Sequence, residues 1–255
     1  MLSLSLCLIS PQAAHAAGPA DAKAAQADTK QPNKDVETNN DVETNNDSET
    51  DSSVNADNDT QTANDTQPDI PITSKSAVLI ENNSGRILYE KKKDQELIPA
   101  SITKIMTLLL IFEALENGKI NLTDDVSVSE FAASMGGSQV FLEPGETQSV
   151  DTMIKCISIA SANDAAVAMA EYISGSETEF VKLMNEKAKS LGMEHTNFKN
   201  CNGLDDSIKS GHYSSAYDVA LMSQELVSRH PEISNYSTVW MDEITHETKR
   251  GSSQF

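Results

Sequence analysis

Ser101 and Lys104 are the residues of this chain whose types and spacing most directly offer chemistry. They stand three apart, so on a helix both side chains share one face. A serine hydroxyl is a weak nucleophile at its own pKa and needs a neighbouring base. A lysine set among apolar residues is readily driven to its neutral, proton-accepting form. The pair is therefore a self-contained nucleophile and base at the mouth of a buried helix. An isolated Ser-x-x-Lys recurs by chance, and is then more often a serine helix cap followed by a solvated lysine. A second cluster, Ser161-Ala162-Asn163, adds another hydroxyl and an amide. Its plain alternative is that Ser161 caps a helix, although a capping hydroxyl can still point into a cleft.

Both clusters sit at expected helix boundaries. Pro99 suits a helix start and Gly118 its stop. Between them the run Ile105-Met106-Thr107-Leu108-Leu109-Leu110-Ile111-Phe112 predicts a helix over about 101–116, apolar on nearly every side and so buried and central. Residues 150–160 form an amphipathic helical run that breaks at Ser161. A second run, 163–173, follows, with Asp164 favourable near its N-terminus. Residues 76–80 and 86–90 flank Asn82-Asn83-Ser84-Gly85 and predict a β-hairpin. Val126-Ser127-Val128 reads as a short extended piece, 180–192 and 219–227 as helices, and 196–205 as loop. Leu142-Glu143-Pro144-Gly145-Glu146 is a turn whose two acids read as exposed. Residues 241–255 read as polar, with neither a helix cap nor a strand partner.

Composition divides the 255 residues into unequal parts. No Phe, Trp or Tyr precedes Tyr89. Residues 21–70 hold 13 Asp and Glu against 3 Lys and Arg, half of the chain's net charge of −20. That balance argues against nucleic-acid binding, which needs a basic patch to neutralise phosphates. Residues 1–17 are signal-like: an apolar core followed by Ala14-His15-Ala16, too short to span a bilayer and lacking a basic start. Residues 18–73 read as a disordered acidic low-complexity linker, with Asp35-Val36-Glu37-Thr38-Asn39-Asn40 repeated at once as Asp41-Val42-Glu43-Thr44-Asn45-Asn46. Residues 74–255 form the folded domain. Cys156 and Cys201 read as reduced, partly buried thiols. Neither they nor the five histidines show metal-ligand spacing, so the histidines read as surface or packing residues and no metal or cofactor is implied.

Serine, lysine and then Ser-x-Asn is the signature order of penicillin-binding proteins and serine β-lactamases. The wider segments Glu81 to Glu90, Pro99-Ala100-Ser101-Ile102-Thr103-Lys104-Ile105-Met106-Thr107, Ser161-Ala162-Asn163-Asp164-Ala165-Ala166, Asn202-Gly203-Leu204-Asp205 and His212-Tyr213-Ser214-Ser215-Ala216-Tyr217-Asp218 resemble the low-molecular-mass D-alanyl-D-alanine carboxypeptidases of peptidase family S11. The resemblance covers about residues 75–245. It implies an α+β fold in which an antiparallel sheet is flanked by helices. It also implies Ser101 as acyl-ester nucleophile, Lys104 as general base, Ser161 as proton relay and Asn163 as a substrate-binding residue. The implied partners are peptidoglycan stem peptides ending in D-Ala-D-Ala, with β-lactams as inhibitors. The implied location is outside the bacterial membrane, in the cell wall or periplasm; no amphipathic anchor is present to argue membrane attachment. The family's third motif, Lys-Thr-Gly, is missing. The expectation is thus a chain that stops before that strand, with an open sheet edge, an open active-site wall, low stability and weak activity. The alternatives are a class A-like β-lactamase, disfavoured by Ala162 in the second motif, and a catalytically impaired wall-binding or decoy module.

Overall fold

The computed structural model describes residues 4–9, 70–205, 208, 210–248 and 251–254. Most of the acidic linker predicted for 18–73 lies outside the described residues, as do residues 10–17 of the signal-like segment. The elements in chain order are β1 (Leu4–Ile9), β2 (Ser76–Glu81), β3 (Ile87–Lys91), a 3-10 turn (Ala100–Thr103), α1 (Lys104–Glu116), β4 (Asp125–Ser127) and α2 (Glu130–Ala133). There follow β5 (Thr147–Ser149), α3 (Val150–Ala160), α4 (Asn163–Ser174), α5 (Glu177–Ser190) and α6 (Ala216–Arg229). A 3-10 turn (Pro231–Ile233), α7 (Ser234–Ser237), β6 (Thr245–Thr248) and β7 (Gly251–Gln254) complete the chain.

The predicted hairpin is β2–β3, in register Ala77 opposite Lys91 with a shift between Leu79 and Ile80. Its turn is held by the Glu81 carboxylate, which accepts from the N–H groups of Asn83 and Ser84 and from the Ser84 hydroxyl. The other edge of β2 carries β1 antiparallel, Leu4 opposite Glu81 and Ile9 opposite Ser76. A strand edge offers a row of unpaired backbone groups, and an apolar six-residue run can satisfy them by pairing.

The core is built around α1. Met106, Leu109 and Ile111 have no exposed surface and Phe112 almost none. A helix apolar on all sides must be surrounded, and α1 contacts α3, α4, α5 and α6. In α4, Ala165, Ala166, Ala168 and Ala170 are fully buried, and such small side chains let neighbouring helices approach closely. The outer helices start where Ser176 and Ser215 accept the N–H groups of Glu179 and Asp218, each freeing the helix of one unpaired donor. Among the described residues no helix is long and apolar enough to cross a membrane.

Two expectations are corrected. Residues 245–248 do have a strand partner, pairing with 251–254 from Thr245 opposite Gln254 to Thr248 opposite Gly251. The segment is polar, so no alternation of apolar residues signalled it; its pairing is made by backbone groups. Glu146, expected to be an exposed turn acid, is only 2% exposed. The chain doubles back there through bonds from Val128 N–H to the Glu146 carbonyl and from Gly145 N–H to the Val128 carbonyl. The buried carboxylate accepts from Glu143 N–H and Gln148 Nε2, and stands 2.8 Å from His246 Nδ1. Glu143 itself is exposed. Cys156 and Cys201 are free and buried. His212, His230 and His246 are buried as well.

Candidate active site

Ser101 sits on the 3-10 turn that precedes α1, so the helix proper begins at Lys104 rather than at Ser101. The preceding Ala100 has a left-handed backbone, φ 47°, which is uncommon for a residue with a Cβ. The Ser101 side chain is exposed. Lys104, at the first position of α1, is 3% exposed. Its Nζ lies 3.4 Å from Ser101 Oγ and donates to the Asn202 carbonyl at 2.7 Å. Burial pushes the Lys104 pKa down to about 8, only partly offset by Cys201 and by the negative charge of Asp164. The carbonyl partner carries no charge, so desolvation sets the direction of the shift.

The carbonyl that grips Lys104 belongs to a loop with its own internal framework. Thr107 Oγ1 donates to the Cys201 carbonyl at 2.5 Å. Gly203 N–H donates to Asn200 Oδ1, and Leu204 N–H to Asn202 Oδ1, both at 2.8 Å. Gly203 has φ +83°, and a Cβ there would stand 1.8 Å from the Ala100 carbonyl oxygen and 3.0 Å from Ser101 N. The loop thus lies directly against the turn that carries Ser101, and only glycine permits that approach.

Ser161 ends α3 in the left-handed region, φ 54° and ψ 36°. It does not cap α4. The residue in the capping position is Ala162, which has no side-chain bond to the helix, so the capping alternative is set aside. A serine held in a strained conformation at a helix–helix link, its hydroxyl unused for capping, has the character of a functional position. Asn163, 3% exposed, donates from Nδ2 to the Gly136 carbonyl at 2.7 Å and from its backbone to the Ser138 carbonyl at 2.8 Å. Its Oδ1 is buried and has no partner among the described residues. Gly137 packs in between, since a Cβ there would meet Asn163 Nδ2 at 2.9 Å and Leu204 Cδ1 at 3.3 Å. Contacts therefore run from Ser101 and Lys104 through Asn202 and Leu204 to Gly137 and Asn163. Asp164 holds the far end of the same loop by accepting from Val140 and Leu142 N–H.

The four residues singled out in the sequence stand on two segments, 101–104 and 161–163, and the 200–204 loop with Gly137 links Lys104 of the first to Asn163 of the second. Missing from that reading as contributors to the site were Asn202, Gly203 and Gly137, which act through a carbonyl and through the absence of a side chain. Asn202 and Gly203 did fall inside a quoted motif; nothing in the local sequence pointed to Gly137. Among the described residues, no group of three or more His, Cys, Asp or Glu is placed to hold a metal ion. The arrangement sets the Ser101 hydroxyl beside a buried amine and links that amine, through the 200–204 loop, to a buried amide oxygen without a partner among the described residues.

The family model for D-alanyl-D-alanine carboxypeptidase, peptidase S11, matches residues 60–254. The chain is 56% identical over 177 residues to the D-alanyl-D-alanine carboxypeptidase DacF of Bacillus subtilis (strain 168), a match covering 69% of this chain and 44% of that protein. It is 40% identical over 167 residues to the D-alanyl-D-alanine carboxypeptidase DacC of Escherichia coli (strain K12), covering 63% of this chain and 41% of that one. The chain therefore spans less than half the length of these relatives. Penicillin binding protein 5 from Haemophilus influenzae superposes with a TM-score of 0.63 at 35% identity, over 71% of this chain and 52% of that one. The fold is accordingly the α+β fold of the penicillin-binding D,D-peptidases, and the matches favour the carboxypeptidases over the β-lactamase alternative. Because one family model accounts for most of the sequence and for every segment of the site, the chain belongs to the peptidase S11 family of D-alanyl-D-alanine carboxypeptidases.

Proposed function

We propose that this chain is a serine-type D-Ala-D-Ala carboxypeptidase of exported cell-wall peptides, acting through an acyl-enzyme. Ser101 Oγ attacks the carbonyl of the penultimate D-alanine while Lys104 Nζ accepts its proton. The tetrahedral oxyanion is met by the Ser101 N–H. Ser161 relays a proton to the nitrogen of the departing D-alanine as the peptide bond breaks. Asn163 holds the substrate amide, its unpaired Oδ1 being suited to accept an N–H. Water then attacks the ester, releasing the trimmed peptide and returning the proton to Ser101. A β-lactam would enter the same path and stay as a stable ester. The substrate places the protein outside the bacterial membrane, at the cell wall or in the periplasm.

The observation that carries this reading is the Lys104 amine: buried, 3.4 Å from the serine hydroxyl, and held by a carbonyl rather than a carboxylate. The similarity to carboxypeptidases and to a penicillin binding protein supports it. The test is incubation of the full 255-residue chain with a fluorescent penicillin beside Ser101→Ala, read by gel and intact mass. The expected result is a single adduct on the parent and none on the variant, followed by D-alanine release from a stem pentapeptide. A folded parent that takes no label would leave a wall-binding module instead. Rapid turnover of a chromogenic β-lactam would favour a β-lactamase.

A further inference from the structure

We propose that His212 is a positioning residue of this site: its imidazole ties the turn that carries Ser101 to the loop that grips Lys104, and so sets the distance between nucleophile and base. The inference rests on the acylation reading above.

The ring is 4% exposed and is bonded on both sides. Nε2 lies 2.9 Å from Oγ1 of Thr103, a fully buried residue that closes the Ser101 turn and immediately precedes Lys104. Nδ1 accepts the backbone N–H of Lys199 at 3.0 Å. Lys199 opens the loop whose Asn202 carbonyl holds the Lys104 amine. A backbone N–H can only donate, so Nδ1 carries no proton. The neutral ring then carries its proton on Nε2 and donates it to Thr103. Burial favours the neutral ring and pushes its pKa down to about 4.

The backbone beside His212 repeats the same spacing. Ser214 exchanges both N–H···O bonds with Leu97, on the segment leading to Ser101. Tyr213 does the same with Asn197, on the segment leading to Asn202. Residues 213–214 therefore hold the two approach segments apart by a fixed amount, and the His212 ring carries that spacing on to Thr103 and Lys199. The ring is backed edge-on by Phe198, at 6.1 Å between centroids. Phe198 is itself fixed by Asn185, which bonds both its N–H and its carbonyl.

A serine–lysine pair is sensitive to such spacing, since misplacement by about 1 Å is worth roughly 100-fold in rate. The test has two parts. The first is the 15N spectrum of His212 in the full chain near pH 7, which should show the neutral tautomer protonated on Nε2, with slow exchange of the Lys199 amide. A cationic ring, or one protonated on Nδ1, overturns the proposal whatever the rates are. The second part compares acylation by a fluorescent penicillin in the parent, His212→Ala and His212→Gln, each well below its own melting temperature. In His212→Ala the limiting acylation rate should fall roughly 10- to 100-fold with the concentration for half-maximal rate little changed. His212→Gln, which offers one acceptor and one donor on a planar group, should recover most of the rate. If the parent is labelled and His212→Ala is labelled just as fast, the positioning role falls and the acylation reading stands. If the folded parent is never labelled, both fall, and a correct tautomer then marks only a packing bond.

Discussion

Lys104 is buried beside an acceptor that has no charge, and the proposed role as base rests on that placement. A carboxylate in place of the Asn202 carbonyl would stabilise the ammonium and hold its proton; the carbonyl leaves desolvation to decide, and the pKa falls to about 8. Acylation by a β-lactam should therefore rise with pH, reach half its maximum near pH 8 and level off above it. The same shift bears on stability. Between pH 8 and 10.5 the unfolded chain retains a proton that the folded lysine has released, so stability rises with pH across that window. Below about 8 both states are protonated and the full cost of burial remains; above 10.5 neither is and the cost disappears. Lys104→Met has no such dependence. The parent should gain on it by on the order of 3 kcal/mol from pH 8 to 10.5 in urea denaturation. A stability difference that stays flat across those pH values would refute the buried neutral amine.

At the scale of elements, the site depends on two short irregular links, the 3-10 turn of Ala100–Thr103 and the 200–204 loop beneath it. Gly203 is where they touch. In Gly203→Ala a Cβ would sit 1.8 Å from a backbone oxygen, which no rotamer change relieves. That variant should lose about 3 kcal/mol or more in melting experiments and should no longer take a penicillin label. Gly118, at the end of α1, also has a left-handed backbone, φ +65°, but nothing lies within 4 Å of its added Cβ. Gly118→Ala should cost only about 1 kcal/mol of backbone strain and should keep the label. Equal losses in the two variants would mean that conformation, not the close approach to Ala100, is what Gly203 supplies.

Across the whole molecule, the terminal part of the described chain is fastened to α3 and to the 143–149 turn. Tyr236 donates to Asp151, Lys155 pairs with Asp242, and Gln148 bonds the Thr245 carbonyl. The Lys155 pair is about two-fifths exposed on both sides, and such pairs contribute under about 1 kcal/mol. The Glu146–His246 contact is of another order, with side chains 0% and 2% exposed and 2.8 Å between them. Truncating Glu146 removes the acceptor of three groups inside the protein. Glu146→Ala should cost roughly 3 kcal/mol and speed amide exchange over residues 241–246 ahead of α1. Unchanged exchange there would show that the surface ties suffice.

The sequence by itself determined the central helix, the hairpin and the two clusters of candidate site residues. Period and punctuation act over a few residues, so the apolar run of α1, the Asn82-Asn83-Ser84-Gly85 hairpin and the Ser101-x-x-Lys104 pair were legible directly. The Ser161-Ala162-Asn163 cluster was legible too, but not the left-handed turn that frees Ser161 from capping. Tertiary structure decided what surrounds each group. Lys104 meets its carbonyl 98 residues away, Thr103 meets His212 at a separation of 109, and Glu146 meets His246 at 100. Desolvation and hydrogen-bond pairing depend on neighbours brought in over such distances. No local pattern records them, and for that reason the carbonyl that meets Lys104 was not legible, and an acid that looked exposed proved to be a buried anchor.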